Sequence, residues 1–380
     1  MLRHLYFVAE NFVNKKLGNL LNLVNLKTEL LCKGVKTEDS IEKGRKAGAG
    51  PAGGRFMILS NSSVVNVPLW PHFVKNSDII LRRLSSGWSL YKDGDKITNI
   101  ELVDSPKFYS LKTSSGHPMY KIALLHGKDC LATTVLQKCV YWSTGQSCKF
   151  CGIENSLKDG STVPRKNPKE LVEVAGAAIE EGVCRHITLT TGTPGTPDRG
   201  AKILAETTRE LKENYDVPIH VQLEPPSIGY LELLADVGVD TVGIHIENFD
   251  RAVLESVCPG KAQVSFDEYL KAWKEAVELF GETQVSTYII VGLGEDDESI
   301  LQGVEIVTRL GVVPFLVPFR PILGTEFENR NPPSASRMIN LYRKVAEILS
   351  EYNLDPSRNL AGCVRCGACS SILEAFRYRD

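Results

Sequence analysis

The sequence lacks a long apolar run and an excess of charge of either sign. No apolar run reaches the roughly 18 residues that a membrane-spanning helix needs, so we expect no membrane partner. A formal net charge of −2 over 380 residues gives no electrostatic footprint for nucleic acid. Glu10, Asn11, Lys15 and Lys16 interrupt the apolar start of the chain. We therefore expect an amphipathic helix there rather than a signal peptide.

Cysteine, by contrast, is abundant. The chain has ten cysteines, and several of them stand in C-x2-C pairs. In a chain of this length such pairs indicate metal ligation in a reducing compartment rather than a secreted disulfide framework. We therefore expect a cytoplasmic protein. Its hydrophobic content of 43% is enough to bury one large core and a smaller satellite domain.

Three cysteines, Cys139, Cys148 and Cys151, follow an apolar segment and lie in a short loop. Three thiolates bind three irons of a [4Fe–4S] cluster and leave the fourth iron free for a small molecule, whereas a structural zinc site takes four ligands. No fourth cysteine follows closely, and the nearest upstream thiol, Cys130, stands at the other end of the apolar segment. The group therefore favours an open iron–sulfur cluster over a zinc knuckle.

The chain is predicted to fall into three parts. Residues 1–130 contain short alternating segments separated by turn signals, which predicts a small N-terminal α+β domain. Its Gly-rich stretch over residues 45–55 is interpreted as a flexible linker, with a ligand-covering lid as the alternative. Residues 131–354 alternate between strand and helix patterns, and residues 355–380 form a short Cys-rich tail.

The middle part predicts six βα units without hairpin signals, which is typical of a parallel sheet. The predicted strands cover residues 131–142, 186–192, 218–225, 241–248, 284–294 and 312–322. The predicted helices cover residues 168–182, 200–215, 229–238, 265–281, 295–311 and 334–353.

One face of these strands is polar, although a parallel sheet covered by helices on both sides should be apolar on both faces. A partial barrel around a polar cavity satisfies this pattern and places the chemistry at the carboxyl ends of the strands. The polar positions are His186, Thr188, Thr190, His220, Gln222, Glu224, Gly243, His245, Glu247, Ser286 and Tyr288.

Residues 131–325 resemble the radical S-adenosylmethionine (radical SAM) superfamily. The usual fingerprint there is C-x3-C-x2-C with an aromatic residue before the last cysteine, whereas this chain has C-x8-C-x2-C with Phe150. TTGTPG, GIHIEN, YIIVGLGE and VPFRPILGT follow in family order at the ends of successive strands. The last of these resembles biotin-synthase-like members. The resemblance implies an α/β fold with a partial (β/α)6 TIM-like barrel.

The resemblance also implies a set of cofactor contacts. It implies a [4Fe–4S] cluster on Cys139, Cys148 and Cys151, and S-adenosylmethionine as cofactor. Thr191, Gly192 and Thr193 stand where the family binds the methionine end, although the usual glutamate is missing. The remaining positions are Glu247 and Asn248 at the ribose, and Phe150, Ile290 and Gly292 at the adenine.

Over residues 27–374 the chain is also similar to an uncharacterised group of radical SAM proteins encoded beside nitrilases. The matching segments include LKTELLCKGVK, KIALLHG, VQLEPP, the PGKA of Cys258–Ala262, and the terminal GCVRCGACS. The substrate of that group is not settled, so the similarity implies fold and cofactors only.

The tail carries a second cysteine group, Cys363, Cys366 and Cys369. C-x2-C-x2-C is part of a ferredoxin-type run whose fourth cysteine is absent here. An auxiliary iron–sulfur cluster, a zinc site and unligated thiols remain open. The fourth ligand would be a substrate atom or one of Cys32, Cys130, Cys184 and Cys258. We expect the tail to lie at the carboxyl ends of the barrel strands.

The function implied is radical chemistry on a small molecule. A 5′-deoxyadenosyl radical formed from S-adenosylmethionine abstracts hydrogen from the substrate, and a ferredoxin or flavodoxin supplies the electron. Sulfur insertion from the auxiliary cluster and a non-catalytic zinc-stabilised binding module are the alternatives. The candidates for substrate contact or catalysis are Gln222, Glu224, His245, Tyr288 and Arg320.

Overall fold

The computed structural model describes residues 23–42, 44 and 52–379. The first described element is a helix over residues 23–33, named α1. The predicted helix at the start of the chain and the Gly-rich stretch fall mostly outside the described residues. No helix in the described ranges is both long and apolar enough to cross a membrane.

Residues 54–102 form an antiparallel sheet, called here the N-terminal sheet. Its order is β2-β1-β5-β4-β3. Its buried face, including Met57, Val65 and Leu81, packs with Leu30 and Leu31 of α1 in one apolar core. The strands are β1 (Gly54–Leu59), β2 (Val64–Pro68), β3 (Ile79–Leu84), β4 (Gly87–Lys92) and β5 (Asp95–Leu102).

A second sheet has seven strands in the order β12-β11-β10-β9-β8-β7-β6, called here the barrel sheet. β6 pairs antiparallel with β7, and the other neighbours pair in parallel. The strands are β6 (Leu124–His126), β7 (Cys130–Leu136), β8 (His186–Thr191), β9 (Ile219–Leu223), β10 (Thr241–Ile244), β11 (Val285–Val291) and β12 (Val312–Pro318).

Helices follow the parallel strands in the predicted alternation. The helices after α1 are α2 (Val140–Ser143), α3 (Asn155–Lys158), α4 (Pro168–Glu180), α5 (Ala201–Asn214), α6 (Tyr230–Asp236), α7 (Arg251–Val257), α8 (Phe266–Phe280), α9 (Asp297–Arg309), α10 (Ala335–Glu351), α11 (Gly362–Cys366) and α12 (Ile372–Arg377). The last two, α11 and α12, lie in the tail. Capping interactions determine where several of these helices begin. In α8, for example, Ser265 and Glu268 form a reciprocal capping box.

The six predicted barrel strands and their six helices are confirmed, with shorter ends. The predicted strand over residues 131–142 ends at Leu136, because the chain turns there and Cys139 becomes the N-cap residue of α2. The sequence analysis missed α7, and it also missed β6, which extends the barrel sheet beyond the six predicted strands. β6 lies before residue 130, and the division of the chain into three units stays a prediction.

The barrel sheet curls so that its polar face points inward. Thr188, Gln222, His245 and Tyr288, from neighbouring strands, line one cavity. The opposite face, represented by Ile187, is fully buried against the surrounding helices. The predicted one-sided polarity is therefore that of an open half-barrel whose polar strand face lines a cavity.

The N-terminal sheet covers the gap between the two edges of the barrel sheet. At one edge, Phe56 of β1 lies 6.0 Å from the ring of His126 in β6. At the other, the Arg320 guanidinium, just after β12, donates to the side-chain oxygen of Asn66 in β2 at 3.0 Å. The gap that an incomplete barrel leaves is thus closed by another part of the chain.

The tail covers the amino ends of the barrel strands, which corrects the expectation that it lies at the carboxyl ends. The backbone N–H of Gly362 donates to His186 at the start of β8, at 3.0 Å. Thr241, at the start of β10, donates to the Ala361 carbonyl at 3.3 Å. Part of the predicted polar face therefore binds the tail rather than a ligand.

A buried ion pair joins α1 to the tail. The Lys27 ammonium lies 2.8 Å from a carboxylate oxygen of Glu374, and the two side chains are 1% and 7% exposed. Lys27 also donates to the Gly367 carbonyl at 2.9 Å. Since a buried charge is costly without its partner, this pair makes the position of the tail depend on α1.

Replacing Lys27→Ala should lower the free energy of unfolding by about 3 kcal/mol, because Glu374 would be left buried without its partner. Lys33→Ala on the same helix is the matched control. Lys33 is 33% exposed and pairs with Asp78 at the surface, so its loss should cost less than about 1 kcal/mol. Anaerobic urea denaturation followed by circular dichroism measures both values. Equal losses in the two variants would contradict the assigned role of Lys27.

Candidate active site

One cavity of about 860 Å³ fills the barrel and reaches both cysteine groups. The loop cysteines line it near the carboxyl ends of the strands, and the tail cysteines line it near the amino ends. The cysteines on its wall are Cys130, Cys139, Cys148, Cys151, Cys363, Cys366 and Cys369. The two groups predicted from sequence thus face a common space from opposite ends.

The loop cysteines come together as predicted. Burial raises the pKa of Cys151, and the neighbouring Cys148 and Cys139 thiols raise it further. Burial also raises the pKa of Cys139, although backbone N–H groups at Tyr141 and Thr193 donate to its sulfur and oppose this. Metal ligation removes these thiol protons. Three clustered thiols with amide donors fit an iron–sulfur cluster.

A fourth cysteine, Cys258, lies against this group. Its thiol is fully buried and hydrogen-bonds with Cys148, and that bond, followed by burial, raises its pKa well above the usual range. Cys258 does not line the cavity. Its place behind Cys148 could not be read from a sequence separation of more than 100 residues.

Glu247 lines the cavity in a left-handed backbone conformation, with φ of 68°. Its carboxylate lies 2.7 Å from the ammonium of Lys261, and the two side chains are 13% and 11% exposed. Burial opposes the charge on Lys261, but Glu247 and then Tyr269, Glu224 and Cys148 together outweigh burial and hold the pKa of Lys261 well above its usual range. Lys261 also lines the cavity and was missed by the sequence analysis, although it stands in the PGKA segment.

Asn248 and Gly292 do not line the cavity. Asn248 is 2% exposed, and its side-chain amide donates to Glu295 at 3.1 Å. Glu295 also accepts from the backbone N–H groups of Gly292, Leu293 and Gly294 at 2.8–3.1 Å. The two predicted cofactor residues therefore support the turn after β11, and Glu295 holds that turn together.

Thr191, Gly192 and Thr193 line the cavity beside the loop cysteines. A Cβ at Gly192 would lie 2.2 Å from the Lys138 carbonyl oxygen, so only glycine allows the two loops to approach so closely. Phe150 and Ile290 also line the cavity and pack in one small apolar cluster. The structure thus brings these five predicted residues together around the loop cysteines.

Glu224 lies in the cavity wall with two partners that the sequence analysis did not identify. The Tyr141 hydroxyl donates to its carboxylate at 3.0 Å, and Arg199 lies 3.8 Å away. Burial, and then the Glu224 charge, raise the pKa of Tyr141, so the phenol stays protonated as a donor. The Glu224 carboxylate is therefore buried and is fixed in position by Tyr141 and Arg199.

His245 presents a defined hydrogen-bond donor. Its Nδ1 accepts the Tyr288 backbone N–H at 3.2 Å, so the ring proton lies on Nε2. Nε2 is buried and has no hydrogen-bond partner among the described residues. Burial, then Lys261 and His220, hold the pKa of His245 well below its usual range, so the ring is neutral.

The barrel supplies donors to the tail cysteines. The Gln222 side-chain amide donates to Cys363 Sγ at 3.4 Å, and the Tyr288 hydroxyl bonds to the same sulfur. Asn66 of the N-terminal sheet donates to Cys369 Sγ at 3.7 Å. Burial raises the pKa of Cys363 to about 11, and the hydrogen bonds from Tyr288 and Gln222 oppose that rise. Gln222 and Tyr288, two candidates for substrate contact, are thus engaged by Cys363.

The tail thiols are close to one another. Burial raises the pKa of Cys366, and Cys369 and Cys363 add to the rise. No three or more His, Cys, Asp or Glu side chains in the described ranges converge as the ligands of a single metal ion would. In a cubic cluster each thiolate binds a different iron, so the sulfurs need not converge on one point.

Comparison with known proteins gives relatives of several activities. The chain is 22% identical to bacteriochlorophyllide c C-7(1)-hydroxylase of Chlorobaculum limnaeum, over 87% of this chain and 85% of that enzyme. It is 29% identical to biotin synthase of Leptospira biflexa, over 53% of this chain and 56% of that enzyme. The solved structure of methylornithine synthase is 18% identical, with a TM-score of 0.48, and covers 66% of this chain and 70% of that one.

A family model gives the assignment. The model described as the Radical SAM superfamily matches residues 145–306. This range contains Cys148, Cys151, Glu224 and Glu247, but it begins after Cys139 and ends before the tail. Residues 145–306 of this chain belong to the radical SAM superfamily.

Proposed function

We propose that this chain is a radical SAM enzyme that abstracts hydrogen from a small molecule enclosed in the barrel. The observation that carries the proposal is that Cys139, Cys148 and Cys151 lie together on the wall of the cavity inside the barrel. When bound there, a [4Fe–4S] cluster and S-adenosylmethionine supply a 5′-deoxyadenosyl radical. The protein binds and orients the cofactor and the substrate, and it excludes water from the cavity.

The residues near the loop cysteines would hold the cofactor. Thr191, Gly192 and Thr193 border the methionine end, and Phe150 and Ile290 offer apolar surface to the adenine. Glu247, paired with Lys261, would accept from the ribose hydroxyls, and Lys261 would supply positive charge for the methionine carboxylate. Asn248 and Gly292 act through Glu295 by shaping the turn that borders this pocket.

The substrate is small, because the cavity of about 860 Å³ must also hold the cofactor. His245 Nε2–H is a fixed donor for an oxygen of the substrate. Glu224, held by Tyr141 and Arg199, is an acceptor for a substrate proton or hydroxyl. Of the five candidates for substrate contact, His245 and Glu224 retain free hydrogen-bonding capacity in the cavity.

The tail cysteines would hold an auxiliary iron–sulfur cluster at the other end of the cavity. Amide and phenol donors aimed at Cys363 and Cys369 support this over unligated thiols. A match over most of the chain to a hydroxylase favours an oxidative outcome. The match to biotin synthase, over 53% of the chain, keeps sulfur insertion as the second candidate. A zinc site on these cysteines is the remaining alternative.

The proposed cellular compartment is based on the redox state of the cysteines. All ten cysteines are free, and we propose a reducing cytoplasm in which a ferredoxin or flavodoxin supplies the electron.

Cys148→Ala should abolish release of 5′-deoxyadenosine from S-adenosylmethionine in the reduced, reconstituted protein, because one cluster ligand is lost. The fold should persist, since apolar strand and helix faces build the barrel. Cys258→Ala, which removes the thiol beside Cys148, is the matched control and should retain release. Retained cleavage in Cys148→Ala would contradict the radical SAM assignment of this site.

Glu247→Ala should weaken binding of S-adenosylmethionine by about 1–3 kcal/mol, because a buried hydrogen-bonding partner is lost. Glu247→Gln should lose less, since the amide oxygen still accepts. Anaerobic isothermal titration gives the affinity, and thermal denaturation gives the stability. Unchanged affinity with lowered stability would show that Glu247 serves only to neutralise Lys261.

The reconstituted chain should contain about eight irons, and changing Cys363, Cys366 and Cys369 together to Ala should leave about four, because each cube holds four. Release of 5′-deoxyadenosine should persist in that variant. Iron, zinc and acid-labile sulfide analyses measure the content. Four irons and one zinc in the unmutated chain would overturn the auxiliary cluster.

A further inference from the structure

Four cysteines stand outside the two predicted groups, and only Cys130 among them lines the cavity. Cys258 lies behind Cys148, and Cys32 packs in the apolar core beside α10. The Cys184 thiol is directed to the His186 carbonyl at 3.8 Å. The structure thus separates thiols that the sequence left equivalent.

Cys130 begins β7 on the inward face of the barrel sheet. It is 2% exposed, and its sulfur lies 3.2 Å from the Thr188 hydroxyl. Cys130 stands opposite His186 in the register of β7 and β8, and the His186 ring accepts from the backbone N–H of Gly362, the residue before Cys363. The Cys130 sulfur therefore belongs to the neighbourhood of the tail group, although it is far away in sequence.

The hairpin between β6 and β7 is shaped for Cys366. Gly127, in the turn, has φ of 62°, and a Cβ there would lie 2.6 Å from Cys366 Sγ. Only a residue without a side chain leaves room for this sulfur. The same hairpin pairs His126 with Cys130, so its geometry places Cys130 next to the space that Gly127 opens.

We propose that Cys130 is the fourth ligand of the cluster held by Cys363, Cys366 and Cys369. This inference rests on the auxiliary cluster proposed above. Iron–sulfur clusters take thiolate ligands in preference to the other nearby groups, the His126 ring and the Asn66 amide. The barrel sheet and the tail then hold the cluster jointly.

Four thiolates leave no iron of this cluster open for the substrate. The substrate would therefore not coordinate this cluster. Because ligands from β7 and the tail must meet, cluster assembly also fastens the tail across the amino ends of the strands. The Lys27–Glu374 pair supports the same docked position from outside.

The test compares Cys130→Ala and Cys130→Ser with Cys184→Ser, a buried cysteine that does not line the cavity. Each full-length protein is reconstituted anaerobically, and iron content and the electron paramagnetic resonance spectrum of the reduced protein are recorded. Cys130→Ala should fall from about eight irons to about four, or keep eight with changed g values. Cys130→Ser, whose oxygen can ligate, should keep its iron with changed g values, and Cys184→Ser should match the unmutated chain.

Release of 5′-deoxyadenosine should persist in every variant, which shows that the first cluster and the fold are intact. Eight irons and an unchanged spectrum in both Cys130 variants would overturn the inference while leaving the auxiliary cluster in place. Four irons in the unmutated chain would instead overturn the auxiliary cluster itself, and the inference with it.

Discussion

The polar inner face of the barrel sheet is the constraint on which the rest of the structure depends. Buried polar groups destabilise a protein unless they are hydrogen-bonded or paired. Here each end of the face is satisfied differently. At the amino ends, His186 and Thr241 bind the tail backbone. At the carboxyl ends, Glu247 pairs with Lys261, and Tyr141 donates to Glu224. Between these ends, His245 Nε2 has no hydrogen-bond partner among the residues that the structure describes.

An incomplete barrel cannot enclose such an interior by itself, and two distant parts of the chain complete it. The N-terminal sheet bridges β6 and the end of β12 through Phe56 and Asn66. The tail covers the amino ends, and α1 holds it there. Asn66 joins both closures, because it accepts from Arg320, bonds to the Ala368 carbonyl and donates to Cys369. Asn66 therefore couples the N-terminal sheet, which bridges the edges of the barrel sheet, to the tail, which covers the amino ends of the strands.

The sequence predicted the barrel strands because their periodicity and their one-sided polarity are local properties. It also predicted the loop cysteines, since Cys148 and Cys151 are close in the chain. It did not place the tail, because spacing within Cys363–Cys369 contains no information on which end of the barrel they reach. Lys261 was missed for the same reason. Its partner Glu247 lies on a different element, just after β10, and an isolated lysine in sequence is most often exposed.

The family pattern groups several residues together as cofactor contacts. In the structure some of them face the cavity and others turn away from it. Glu247 faces the cavity, while its neighbour Asn248 turns away to Glu295. Neighbouring side chains of an extended segment point to opposite sides, which accounts for this split just after β10. Glu247 itself adopts the left-handed conformation. Such a conformation costs free energy in a residue with a side chain and persists only where the surroundings hold it. Here the ion pair with Lys261 and the backbone bonds to Tyr288 and Ile290 hold it. The strain is thus located where the carboxylate has to meet the cavity.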